Sequence, residues 1–328
     1  FLRLYGFAVV PLLWGMALNS YLATLGRANV VLWATLAGLP VNVLLNLAFV
    51  FGRWGAPELG VAGSALAGLI VNWVQVAGLL AYALWLPRAR RFDLGRNPWR
   101  FDREAFLRVL RLGLPVGLTL VAEIGMFTGA NLMMGWLGPV ALAAHGIALQ
   151  LAGLAFMIHL GFGSAATIRV GEVAGRRDTR RIRESAWAAI GLSAAVAGLA
   201  AALFVLAPGM LAGLYLDPAK PGSPAILALT GELLLWAGLF QLADGQQAVA
   251  LGLLRGIQDT RAPMLIAAVA YWLVGLPTGY AAGFLLGFGP AGIWFGLLAG
   301  LATAAVLLMR RFWRGERHGD WTRAAAPA

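Results

Sequence analysis

Cysteine is absent from this chain of 328 residues, which excludes a disulfide framework and any thiolate metal site. Charge is scarce as well. Only 12% of the residues are charged and 60% are hydrophobic, whereas a soluble domain carries about 25% charged residues. That shortage excludes an ordinary soluble globule. No polar block is long enough for a soluble domain, and no nucleotide-binding loop, zinc motif or nucleophile–base constellation is present, so an enzyme has little support. Glycine, by contrast, is abundant at 43 residues without a Gly-X-Y period. Small residues let membrane helices approach closely, so this abundance fits a helical bundle in lipid.

Nine apolar segments reach spanning length, with cores at 4–25, 30–51, 60–86, 112–135, 140–165, 187–211, 225–254, 264–286 and 291–309. The fold class they predict is an all-α polytopic membrane protein. The first segment has no basic region ahead of it and no cleavage site behind it, so it reads as a spanning helix and not as a signal peptide.

The net charge of +11 invites a nucleic-acid partner, but the placement of the charge argues for none. Most Lys and Arg fall at Arg27, in 87–111, in 175–183, at Arg255 with Arg261, and after 309, whereas the alternate loops hold only Arg53 and Lys220. This is the positive-inside pattern, which puts the first set and the C-terminus in the cytoplasm, beside anionic lipid headgroups. The expected organisation is then 1–86 as three helices of one lobe, 87–111 as a basic cytoplasmic linker, 112–309 as a six-helix lobe, and 310–328 as a cytoplasmic tail. Nine helices ending inside must begin outside, an awkward start for a chain that opens on Phe1 without Met, so further helices are expected upstream.

An internal repeat points the same way. Gly60, Ser64 and Gly68 recur at a constant offset as Gly292, Gly296 and Gly300, and the offset also pairs Gly6 with Gly238, Leu22 with Leu254 and Leu44 with Leu276. The first three helices therefore correspond to the last three, and the middle three lack counterparts, as in a six-plus-six transporter built from two repeats.

Glu123 and Asp244 each stand in the middle of an otherwise apolar helix. An acid at the centre of a membrane helix costs about 2.5–3.5 kcal/mol on insertion scales, so such residues usually face a partner or a wet path. Thr119 and Asn131 share a face with Glu123, and Gln241 and Gln247 share one with Asp244, giving each helix a narrow polar stripe. Transport is the function this implies, with carboxyls able to exchange protons. The plainer reading is a carboxyl or amide that only hydrogen-bonds a neighbouring helix.

Phe240-Gln241-Leu242-Ala243-Asp244-Gly245-Gln246-Gln247, with Leu254-Arg255-Gly256 and Asp259-Thr260-Arg261-Ala262-Pro263 after it, resembles helix ten and the following loop of the multidrug and toxic compound extrusion family. Gly138-Pro139 with Leu142-Ala143-Ala144-His145, Gly171-Glu172-Val173-Ala174-Gly175, and Pro57-Glu58-Leu59-Gly60 are similar to further stretches of that family. The resemblance implies that this chain runs from helix four to helix twelve of a twelve-helix, two-lobe, inverted-V exporter with pseudo-two-fold repeats. It implies a multi-pass monomer in a bacterial-type cytoplasmic (inner) membrane that exports organic cations, drugs or small amphiphilic metabolites in exchange for protons or sodium, with no other cofactor. Glu123 and Asp244 are then the ion-coupling or substrate-binding residues, with Gln241, Gln247, Asn131, Thr119 and Phe240 as supporting cavity residues and a sodium site at the two acids as the metal alternative. Some sodium-coupled members carry a tyrosine one turn before the helix-ten aspartate, where this chain has Phe240. Protons are therefore favoured.

His145 and His159 lie nearly four turns apart on one segment, too far to share a metal on a straight helix. They read as packing histidines, with a proton relay as the alternative. Asn19, Asn42, Asn46 and Asn72 either line a cavity or cross-link helices, and the 13 Trp and 16 Phe read mainly as interface anchors or core. Two competing functions remain. A lipid-linked precursor flippase of the same shape needs basic residues in its cavity, and a non-transporting membrane protein has no use for two buried acids.

Overall fold

Turn residues in the sequence punctuate the helices. The structure, a computed structural model, describes residues 6–86, 102–216, 222–317 and 321. Its helices are α1 (Val9–Thr24), α2 (Ala28–Phe51), α3 (Val61–Trp85), α4 (Arg103–Leu137), α5 (Pro139–Gly175), α6 (Thr179–Leu206), the short α7 (Pro208–Gly213), α8 (Ser223–Gly256), α9 (Arg261–Leu285) and α10 (Gly289–Arg317). Eight are long and apolar enough to cross a membrane, and α1 is a shorter apolar helix. Proline at the first turn starts α5 after Gly138, whose φ of 115° suits glycine. Asp178 caps α6 by accepting the Arg181 N–H. Both α5 and α8 close on a residue in the left-handed region, Arg177 and Gln258, with Asp178 N–H donating to Val173 O and Asp259 N–H to Leu254 O.

The chain divides into two compact units, Phe1–Asp102 and Arg103–Ala328. The first half of the basic stretch 87–111 lies largely outside the described residues, and from Arg103 onward that stretch is the start of α4. At the other end α10 continues as helix through 310–317. Helices of 34–37 residues span about 50–55 Å at 1.5 Å per residue. They therefore project beyond a hydrocarbon core of about 30 Å. The polar ends are helical because arginine propagates a helix as well as leucine does, so charge marks the membrane boundary and not the helix boundary.

In the first unit α3 packs on α1 and α2. Gly63 faces the backbone of Phe49, so it is Gly63, one residue away from the repeated Gly60–Ser64–Gly68 spacing, that allows α3 to close on α2. Gly60 itself precedes α3 with φ 53°. Asn46 donates to the backbone and side-chain oxygens of Asn42 at 2.9 Å each, which makes that pair an intrahelical link.

In the second unit α8 is the central helix, packed by α5, α6 and α10. From Phe240 to Leu254 it is buried on most of its circumference. Gly163 of α5 and Gly252 of α8 meet backbone to backbone, with Thr167 Oγ1 at 2.9 Å from the carbonyl oxygens of both. Gly275 and Gly279 of α9 lie against Gly296 and Gly300 of α10 in the same manner, here along the repeated glycine stripe. Two stretches of α9, Val269–Gly275 and Ala281–Leu285, are wound as π-helix, an uncommon geometry often found at functional sites. A Cβ on Gly296 would overlap the Gly279 backbone. Gly296→Leu is therefore expected to destabilise the protein in detergent by about 1–3 kcal/mol, as overpacking does. An unchanged melting temperature would show that α9 and α10 do not pack there.

The arginine-rich segments of this unit gather at one end. Arg183 pairs with Glu316 and Arg311 with Asp259, tying the start of α6 and the turn after α8 to the end of α10. Three of the segments that the charge pattern assigned to one side, 175–183, the turn at 255–261 and the stretch after 309, thus meet within this unit.

Candidate functional site

Helix α4 carries Glu123 and α8 carries Asp244, and both carboxyls line one cavity of about 320 Å³. Cavities of this size fall at the lower end of small-molecule sites. Glu123 is 7% exposed and Asp244 2%. They are close enough to interact electrostatically. Apart from the acids, Gln247 and Arg255 the walls are apolar, from Leu120 and Ile124 of α4 through Leu149 and Phe156 of α5 to Ala248 and Leu251 of α8.

Two of the expected supporting residues share this cavity. Phe240 lines it and meets Phe127 edge-to-face at 6.1 Å, and Gln247 lines it while donating from Nε2 to the Tyr271 hydroxyl at 2.6 Å. The other three turn elsewhere. Gln241 is buried one turn from Asp244 and donates to Ala152 O of α5 at 2.8 Å, in the interhelical role that the plainer reading assigned to amides. Thr119 Oγ1 donates to Pro115 O at 2.8 Å and Asn131 Nδ2 to Phe127 O at 3.0 Å, so both satisfy backbone carbonyls one turn back on α4. The cause is local: a short hydroxyl or amide side chain in a helix reaches the carbonyl one turn back on its own helix before it reaches any cavity.

Two residues join the site without having been singled out in the sequence. Arg255 sits near the end of α8, yet its side chain folds back to line the cavity and interacts with Glu123. Tyr271 of α9 is fully buried, and its phenol interacts with Glu123, Asp244 and Arg255 together. Helical spacing was the available signal for Arg255, which lies on the Asp244–Ala248–Leu251 face of α8 at successive turns. Nothing local marked Tyr271, which reaches the site from another helix through the π-wound segment Val269–Gly275.

Several buried polar atoms around the acids have no hydrogen-bond partner: Asp244 Oδ1, Gln247 Oε1, Gln241 Oε1 and His159 Nε2. An orphaned buried polar group costs about 1–3 kcal/mol, so a concentration of them marks a place built for something other than packing. These orphaned oxygens, with the carboxylates and the Tyr271 hydroxyl, are hard donors suited to a proton or a small hard cation. A third acid of α8, Glu232, is exposed and outside the cavity lining. His145 and His159 are both fully buried and apart; His145 meets Trp294 edge-to-face at 5.6 Å. Among the described residues no group of three or more His, Asp or Glu is arranged for a metal.

Residues 115–281 match the family model described as MatE. A probable multidrug resistance protein NorM from Rhizobium meliloti is 44% identical over 328 residues, covering 100% of this chain and 69% of the relative. A probable NorM from Agrobacterium fabrum is 41% identical over 312 residues, covering 95% of this chain and 67% of that protein. Among solved structures, one of a MATE protein in the bent conformation superposes with TM-score 0.84 at 20% identity, covering 100% of this chain and 70% of that one. A eukaryotic MATE transporter gives TM-score 0.81 at 19% identity, covering 98% and 71%.

Proposed function

The chain belongs to the MatE family, and from that premise we propose that it exports organic cations, drugs or small amphiphilic compounds across a membrane by exchange against protons, with Glu123 and Asp244 as the coupling and binding groups. The observation that carries this reading is the pair of acids, from helices far apart in sequence, lining one otherwise apolar cavity. The acids outnumber the base there. With Glu123, Asp244 and Arg255 as its charged lining residues, the cavity favours a cation over a pyrophosphate, which speaks for the exporter against the flippase. Aromatic walls from Phe127, Phe156 and Phe240 suit flat, apolar cations. The relatives named multidrug resistance proteins support drug export as the physiological task. No step of covalent chemistry is needed, so the protein acts as a transporter and not as an enzyme, in a bacterial-type cytoplasmic membrane with its C-terminus inside.

Alternating access requires that substrate and coupling ion use the cavity at different times. Two carboxyls in one apolar chamber meet that need. A proton taken up by Glu123 or Asp244 removes a charge that holds the cationic substrate, so protonation and substrate release are linked through the same groups. Arg255 beside Glu123 makes the linkage sharper, because once one acid is neutral the chamber no longer carries net negative charge.

Sodium is the second reading, favoured by a specific observation. Tyr271, whose phenol interacts with both acids, supplies a hydroxyl that Phe240 lacks, and Gln247 Oε1 adds an oxygen without a partner. The argument from Phe240 against sodium is thereby weakened, and protons remain the choice because Arg255 stands where a bound metal ion would meet a fixed positive charge. Reconstituted protein is expected to export a fluorescent organic cation under a pH gradient with sodium absent. Export driven only by a sodium gradient would reverse the assignment.

A further inference from the structure

His159 has no part in the cavity lining, yet its surroundings are not those of a packing histidine. Its Nδ1 lies 2.9 Å from Ser193 Oγ of α6, both residues are fully buried, and its Nε2 has no partner. The ring is pressed against the backbone of Gly245, where a Cβ would stand 2.8 Å from the imidazole. Glycine at 245, the residue after Asp244, is thus what admits an imidazole to this position. Gln241 lies within interaction range of His159 on the same side of α8. Three orphaned atoms, His159 Nε2, Gln241 Oε1 and Asp244 Oδ1, therefore belong to residues on or against one stretch of α8, 241–245, whose Asp244 lines the cavity.

A second space is lined by residues about one turn away from the pair on α5 and α6. A polar cleft of about 470 Å³ lies between α5 and α6, with Arg169, Glu172 and Arg176 on one wall and Arg181 and Glu184 on the other. Phe162 and Ala189 belong to its lining, each about one turn from His159 and Ser193 respectively, while Phe156 and Leu160 of α5 line the main cavity. His159 thus stands on α5 at the boundary between the two spaces.

We propose that His159 and Ser193 form a proton-exchange station connecting the α5–α6 cleft with Asp244, so that the coupling proton enters or leaves the cavity through the side of α8 facing away from it. The inference rests on the proton-coupled reading above. Each transfer conserves charge: the imidazole takes a proton at one nitrogen and gives one up at the other, with Ser193 Oγ relaying on the cleft side. A water held by His159 Nε2, Gln241 Oε1 and Asp244 Oδ1 relays on the cavity side, and Asp244 is the final acceptor. The charged groups lining the two spaces beside the station are Asp244 and Arg255 on α8, Glu123 on α4, Arg169, Glu172 and Arg176 on α5, and Arg181 and Glu184 on α6. The cleft supplies both a proton reservoir in its carboxylates and fixed positive charge that limits entry of other cations. A histidine relay suits this place because one ring nitrogen is paired with Ser193 of α6 while the other is left without a partner and free to pass a proton on.

The test separates coupling from substrate handling. In proteoliposomes, efflux of a fluorescent organic cation driven by a pH gradient is compared with gradient-free exchange of the same cation, for the wild type, His159→Gln, Ser193→Ala and Ser193→Thr. For His159→Gln the driven rate is expected to fall roughly 100-fold, the scale of a lost acid–base group, with its pH dependence flattened and exchange nearly unchanged. Ser193→Ala should show the same split and Ser193→Thr, which keeps the hydroxyl, should restore driven transport. Unaltered driven transport and pH profile in His159→Gln, with a proton-driven wild type, overturns the station alone. So does parallel loss of driven transport and exchange in both His159→Gln and Ser193→Ala, which would assign the pair to packing. A wild type driven by sodium and indifferent to pH overturns the proton reading and the station with it.

Discussion

Glu123→Gln is expected to bring gradient-driven efflux to the background of protein-free liposomes while membrane abundance stays near that of the wild type. The substitution preserves size and hydrogen-bonding reach, so the apolar neighbours Leu120, Ile124 and Phe127 lose no packing. What it removes is the charge. The cavity is left with Asp244 against Arg255, so net attraction for a cation disappears, and one of its two titrating carboxyls is gone. Arg255 loses its counter-charge, which in a buried setting would cost several kcal/mol, but its place at the end of α8, half-buried, lets the guanidinium turn toward solvent. Wild-type efflux at equal expression would show that Glu123 takes no part in coupling. Loss of the protein from the membrane would support a packing role instead. The double substitution of Glu123→Gln with Arg255→Gln tells the two apart further, since it restores the charge balance and should rescue abundance but not coupling.

Helices were legible in the sequence because a membrane segment must be apolar along its whole length, and the nine apolar cores correspond to the eight long helices and α1. Their ends were less so. The core 187–211 runs through Ala207-Pro208, where α6 stops and the short α7 begins, because an apolar turn carries no polar mark. Asp244 and Glu123 stood out for a physical reason that composition exposes directly: charge inside hydrocarbon is costly. Residues whose presence in a helix costs nothing unusual did not stand out. Tyr271 is apolar by most measures until its hydroxyl is seen against Gln247, and Arg255 looks like one more basic residue at a helix end until its side chain is seen to turn inward. Polar stripes misled for Thr119 and Asn131 because facing the right sector of a helix does not decide whether a short side chain reaches out or bonds its own backbone.

Neutralising Asp244 as well as Glu123 is expected to be little worse than the worse single change. The acids come from helices distant in sequence, yet they line one cavity and interact electrostatically, while Tyr271 interacts with both and Arg255 with Glu123. Groups within one chamber of low dielectric are coupled strongly, because a unit charge a few ångströms away changes the energy of another by about 4 kcal/mol at an effective dielectric of 20. Removing either acid therefore already alters the state of the other. Asp244→Asn also takes away a carboxylate able to accept the coupling proton, so its driven transport should fall as far as that of Glu123→Gln. Residues acting as a unit give non-additive losses, whereas independent sites give losses that add within about 0.3–0.5 kcal/mol. Cation affinity of the wild type, both singles and Glu123→Gln/Asp244→Asn, measured by fluorescence quenching in detergent, closes the cycle. A coupling energy near zero would place the acids in separate sites, each with its own ion, and a cavity shared in space would then not be shared in function.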